Sequence, residues 1–201
     1  MNFWDAFSVE YHQGLEKLST MMTVQPGESL FIEGDTFTGF YVVKSGRLRI
    51  FNINDSGEQA TISIAEPGSA ISAVPVLMTI SNYHANCEAL TVSEVFFFPL
   101  QPFLSHLMSS SKFTLEFARM VVSHTLVIRD KYLSLALNTA KQRFLGFLEQ
   151  NGAGKQFIKL PASKKVIASL LDISAETLSR LIRQLESENL IAVDSDRFRI
   201  L

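Results

Sequence analysis

The sequence is poor in the groups that catalysis and metal binding draw on. It has one cysteine, Cys87, one tryptophan and four histidines in 201 residues. A single thiol forms no internal disulfide, which fits a reducing cytoplasm. Nor can it hold an iron–sulfur cluster, which takes several cysteines. His12, His84, His106 and His124 are scattered and match no metal-ligand spacing. There is no H-x-H and no His/Glu set of the kind a barrel metalloenzyme gathers, so an enzyme is not expected. No apolar run is long enough to cross a bilayer, so no membrane segment is expected. The opening residues, MNFWDAFSVEYHQG, lack a basic region and a cleavage site and do not read as a signal peptide. Strong charge of either sign is also missing, since the net is −2.

What charge there is divides unevenly. Residues 1–138 hold 8 Lys and Arg against 13 Asp and Glu, a net of −5, while residues 139–201 hold 10 against 7, a net of +3. The basic excess falls on the most patterned segment of the chain, KVIASLLDISAETLSRLIRQLE from Lys165 to Glu186. Ile167, Ala168, Leu170 and Leu171 make one apolar helical face. Ile173, Leu178, Leu181, Ile182 and Leu185 make a second. Ser163 and Ser174 stand where N-caps would start the two helices. The spacing predicts two short helices joined by a tight turn, the arrangement that presents a second helix to the DNA major groove.

The side chains left outside the second apolar face suit that use. Arg180 can fork onto guanine O6 and N7, Glu176 can accept from a cytosine amine, and Ser179 can meet a base edge or a thymine methyl, with Thr177 beside them on the same DNA-binding face. Arg183, one turn on, and Lys164 and Lys165, at the start of the first helix, suit phosphates. A charged, solvated helix face is the competing explanation. Beyond this segment, NLIAVDSDRFRIL from Asn189 offers two β-prone runs around Asp194-Ser195-Asp196, a hairpin placed as a wing. Phe157 to Pro161 can add a strand, giving a winged helix-turn-helix.

Residues 20 to 100 read as short strands separated by Gly27, Gly34, Gly46, Gly57 and Gly68, with β-branched and aromatic runs between them. Even spacing with turn signals predicts a β-sandwich or small barrel. From Ser110 to Leu137 the chain has no Gly or Pro. Phe113, Phe117, Met120, Val121, His124, Val127, Ile128 and Leu135 recur at three- and four-residue steps. That stripe predicts a long helix packed on a partner helix, with packing on the chain's own β-domain as the alternative. Asn138 to Arg143 reads as a hinge into the next helix.

In this order and spacing the motifs resemble the CRP/FNR family of dimeric bacterial transcription regulators. Glu176 to Arg180, ETLSR, is similar to the E-x-x-S-R recognition signature of the FNR-like branch. Gly27-Glu28, Glu33-Gly34-Asp35, Val43-Lys44-Ser45-Gly46, Gly57-Glu58 and Pro67-Gly68 resemble the family's effector-binding β-roll. The likeness runs from about residue 18 to the end. It implies an α+β fold with a cyclic-nucleotide-binding-like β-roll (a double-stranded jelly roll) over residues 1–109. A dimerisation helix over 110–137 and a winged helix-turn-helix over 138–201 follow. It also implies a homodimer on double-stranded DNA reading a palindrome of TTGAT-like half-sites through Glu176, Ser179 and Arg180. RNA polymerase would be a further partner of an activator. Asp172 stands in the turn where the family usually has glycine, and aspartate tolerates a left-handed backbone better than most residues.

The effector site is where the resemblance breaks. Members that bind cyclic nucleotides carry a Gly-Glu pair for the ribose and, about ten residues on, an Arg-Ser/Thr-Ala for the phosphate. Here those stretches are Ile71-Ser72-Ala73 and Tyr83-His84-Ala85. A buried phosphate without its counter-charge is costly, so cyclic AMP and cyclic GMP are not expected. The pocket residues implied are Ile71, Ser72, Ala73, Tyr83 and His84. Haem, held at His84 for CO or NO sensing, stays open, as does an unidentified small ligand. A ligand-binding module acting on a protein partner is a third reading, against which Arg180 and Arg183 weigh.

Overall fold

The computed structural model describes residues 2–78, 80–154 and 156–201. Its elements, in chain order, are α1 (Val9–Leu18), β1 (Thr20–Val24), β2 (Ser29–Phe31), β3 (Gly39–Ser45), β4 (Leu48–Ile53), β5 (Gln59–Ala65), β6 (Ala70–Ile71), β7 (Asn86–Ala89) and β8 (Ser93–Pro99). Then come α2 (Leu100–Ser109), α3 (Ser111–Leu137), α4 (Ala140–Gln150), β9 (Ile158–Lys159), α5 (Lys164–Leu170), α6 (Ala175–Ser187), β10 (Ile191–Asp194) and β11 (Arg197–Ile200). Two compact units result. One takes the chain up to Ser56 together with Ile62–Val127, and the other takes Gly57–Thr61 with Ile128–Leu201. No helix among the described residues is long and apolar enough to cross a membrane.

The first unit is the β-roll. Two four-stranded antiparallel sheets, ordered β1-β8-β3-β6 and β2-β7-β4-β5, enclose its interior. Strand alternation sorts the aromatics of β3 and β8 onto two faces. Phe40 pairs with Phe98 on one face, their rings stacked 4.8 Å apart, and Tyr41 pairs with Phe97 on the other. The Phe40 face is covered by helices. Phe103 of α2 meets Phe40 edge-on at 4.8 Å, Phe117 of α3 lies 5.0 Å from Phe103, and Phe7 stacks on Phe113 at 4.9 Å. The β3–β4 turn needs glycine: Gly46 sits at φ +83°, and a Cβ there would fall 2.3 Å from Ser93 Oγ.

The interior between the sheets holds Phe31, Phe37, Tyr41, Tyr83 and Cys87, all buried. Burial, with the charge of Glu88 second, pushes the Cys87 thiol up to about 12, so it is an unreactive apolar side chain.

Helix α3 runs for 27 residues, about 40 Å. Its packing corrects the expected stripe. Phe113, Phe117 and Met120, expected against a partner helix, are buried in the chain's own core. Val127 and Ile128 are exposed instead. His124 is half-buried, and burial holds its imidazole below the ordinary histidine range. A second apolar stripe occupies the opposite side. Leu115, Val122, Leu126, Leu133 and Leu137 fall within a narrow arc at 100° per residue, and all are exposed, Val122 by 65% and Leu137 by 76%.

The second unit is a winged helix-turn-helix. Helices α4, α5 and α6 pack beside the three-stranded sheet β10-β11-β9 around Phe144, Leu148, Ile167, Leu178, Leu185 and Phe198. The expected hairpin is present, with Asp194 paired to Arg197 across a turn at Ser195, φ +59°.

Candidate nucleic-acid interface

Two serines start the two helices of the motif as expected. Ser163 Oγ accepts from Val166 N ahead of α5, and Ser174 Oγ accepts from Thr177 N at 3.0 Å ahead of α6. Each satisfies a backbone donor that a helix start leaves open. The turn between the helices closes on Asp172, at φ +55°. Asp172 N donates to Ser169 O at 3.2 Å and Ile173 N to Ala168 O at 3.0 Å. This pair of bonds is the Schellman closure, usually built on glycine. Aspartate therefore takes the left-handed position here and the turn keeps its geometry. Helix α6 ends the same way on Asn189, also at φ +55°.

Leu178, Leu181, Ile182 and Leu185 are buried and fix the inner face of α6. The i, i+4, i+7 ridge of Glu176, Arg180 and Arg183 points the other way, and all three are exposed. Thr177 and Ser179 flank the ridge and are half-buried. Ser179 Oγ donates to Ala175 O at 2.9 Å, and Arg180 Nη2 donates to Thr177 Oγ1 at 3.3 Å. Glu176 lies in the first turn of α6, where the helix dipole favours an anion. Lys164 and Lys165 are exposed at the start of α5. All seven residues expected to meet DNA thus belong to one two-helix element.

The contacts of two features were not read from the sequence. Arg143 of α4 donates from Nε to Leu171 O at 2.9 Å, from Nη1 to Asn138 O at 2.8 Å and from Nη2 to Asp172 O at 3.4 Å. Arg197 and Arg199, on the outer face of the wing, lie 5.8 and 5.0 Å over the Phe157 ring. The period-two R-F-R of β11, with buried Phe198 between exposed arginines, was a readable signal for the second. For the first, the sequence placed Arg143 at the hinge into α4 but did not show which carbonyls its guanidinium holds.

At the effector site the neighbours Tyr83 and His84 part. Tyr83 is buried, stacks on Phe31 at 4.1 Å with an 11° tilt, and donates its hydroxyl to Gly39 O at 2.8 Å. His84 is exposed, and its carbonyl accepts from Asn52 Nδ2 at 2.9 Å. Ile71 and Ala73 are buried, and Ser72 between them is half-buried at φ +59°. The residues do not fit haem: its one suggested axial ligand is exposed, and stacked rings fill the interior beside it.

A jelly roll followed by a long helix and a winged helix-turn-helix with a basic exposed ridge defines a DNA-binding transcription regulator. Comparison with known proteins agrees. Residues 21–110 match the cyclic nucleotide-binding domain and residues 142–201 the Crp-like helix-turn-helix domain. The transcriptional activator protein FnrA of Stutzerimonas stutzeri is 25% identical over 185 residues, covering 89% of this chain and 75% of that protein. The nitrogen fixation regulation protein FixK of Rhizobium meliloti is 27% identical over 179 residues, covering 87% and 79%. The solved structure of FixK2 from Bradyrhizobium japonicum shares the fold, with a TM-score of 0.73 at 21% identity, covering 90% of this chain and 92% of that one. The chain belongs to the CRP/FNR family of transcription regulators.

Proposed function

We propose that the protein acts as a homodimer on a palindrome of TTGAT-like half-sites. Glu176, Ser179 and Arg180 read bases, and Thr177, Arg183, Lys164 and Lys165 support them. The observation that carries this reading is the Glu176–Arg180–Arg183 ridge, exposed on the side of α6 opposite its buried face. Ser179 must exchange its bond to Ala175 O for a base edge, which a hydroxyl rotation allows.

The dimer reading rests on the exposed stripe of α3. A two-fold pair would cover it and set two recognition helices about 34 Å apart. Control through the β-roll is read as effector-linked, with an effector other than a cyclic nucleotide. Supporting this, Ile71–Ala73 and Tyr83–Ala85 supply neither the carboxylate nor the guanidinium that such a ligand needs. The buried Tyr83 weakens the haem alternative, and the arginines of the α6 ridge weaken the protein-partner alternative.

The test is binding of the full chain to a TTGAT palindrome and to a scrambled duplex. Arg180→Ala should cost about 1–3 kcal/mol on the palindrome and little on the scramble. Equal affinity of the unaltered protein for both duplexes would reject the reading.

A further inference from the structure

We infer that Arg143 is a positioning residue for base readout. Its guanidinium locks the turn between α5 and α6 to the end of α3, so the tip of α6 is held in one orientation. The inference rests on the DNA-reading function proposed above and adds a residue that touches no DNA.

The argument starts from the carbonyls at the end of α5. A helix leaves its last carbonyls without intrahelical donors. The Schellman bonds satisfy Ala168 O and Ser169 O. Leu171 O and Asp172 O lie beyond them and receive Nε and Nη2 of Arg143. The third donor, Nη1, reaches Asn138 O, just past the end of α3. One planar group thus ties three backbone carbonyls from two separate stretches of chain. A cation at a helix C-terminus also opposes the negative end of the dipole.

The tied turn is the pivot of the recognition helix. Asp172 holds the left-handed point of the turn, and Ser174, two residues later, caps α6. A bidentate arginine–guanine contact tolerates a displacement of about 0.5 Å or a tilt of 10–20°. Rocking at Asp172 would move Glu176 and Arg180 together. Lysine cannot replace the clamp, because it offers one point charge where three carbonyls need a fork.

The experiment uses the full chain carrying Arg143→Lys, with fluorescence anisotropy on the TTGAT palindrome and on the scrambled duplex across a salt series. The expected result is a loss of about tenfold or more on the palindrome and less than about twofold on the scramble. The salt slope should be unchanged, and melting should stay cooperative. A parallel loss on both duplexes with a shallower salt slope would make Arg143 a phosphate contact and overturn the proposal. An unchanged palindrome affinity would do the same. Arg143→Gln, which keeps an amide donor without charge, repeats the test if the lysine form fails to melt cooperatively. Failure of both to fold would assign Arg143 to stability alone, against the proposal. The underlying reading fails separately, when the unaltered protein shows no preference for the palindrome. The inference fails alone when Arg180→Ala abolishes that preference and Arg143→Lys keeps it.

Discussion

Tyr83 shows what a single residue decides in this fold. Its ring fills the interior of the β-roll against Phe31, and its hydroxyl satisfies a strand carbonyl at Gly39. Tyr83→Phe keeps the stacked ring and removes the donor. The cost should be about 1 kcal/mol of unfolding free energy, measured by urea melting, with palindrome affinity unchanged. A variant as stable as the parent would mean the hydroxyl contributes nothing to the packed interior. That Tyr83 turns in and His84 out was not legible from the sequence. Both have a polar tip, and the choice is made by distant partners: Asp35 O accepts from Tyr83 N and Tyr83 O accepts from Gly34 N. The exposed face of α6 was legible for the opposite reason. Helical period and a serine cap fix which side of α6 is buried within the element itself.

At the scale of the element, α3 carries two apolar stripes where the sequence suggested one. Phe113, Phe117 and Met120 face the chain's own core. Leu115, Val122, Leu126, Leu133 and Leu137 lie opposite and exposed. The larger aromatic side chains dominated the sequence pattern, yet period alone cannot say which stripe finds a partner in the same chain. The two stripes give separable outcomes. Val122→Glu with Leu126→Glu puts two charges into the proposed dimer seam. Sedimentation should show a monomer of unchanged stability that has lost high-affinity palindrome binding. Phe117→Ala should instead cost about 3–5 kcal/mol of stability through the cavity it leaves. A dimer that survives the paired glutamates would exclude this face as the interface. Element boundaries were well marked where capping residues stood, at Ser163 and Ser174. They were poorly marked where glycine was absent, at Asp172 and Asn189, because Asp and Asn adopt the left-handed form less often.

For the whole molecule, composition exposed the uneven charge, but it could not reveal that Gly57–Thr61 joins the C-terminal unit. Five residues shift no compositional average, and their placement depends on long-range contacts. The charge split has a consequence for affinity. With a net charge of −2, the chain gains little from its overall field, so attraction to DNA is expected to be local, and the places proposed for it are the basic ridge and the start of α5. If Lys164, Lys165 and Arg183 each neutralise a phosphate, a dimer releases counterions at about six places. The slope of log affinity against log salt should then be about −5. Lys164→Gln with Lys165→Gln removes four of those six charges, making the slope shallower by about 3 to 4. Because phosphate contacts carry no sequence information, palindrome and scramble should weaken together, and the ratio between them should hold. Arg180→Ala should do the reverse, lowering the ratio and moving the slope little. Titrating both variants against both duplexes at four salt concentrations separates the two roles. A slope unmoved by the paired glutamines would place the phosphate contacts elsewhere, with Arg197 and Arg199 on the outer face of the wing the next residues to substitute.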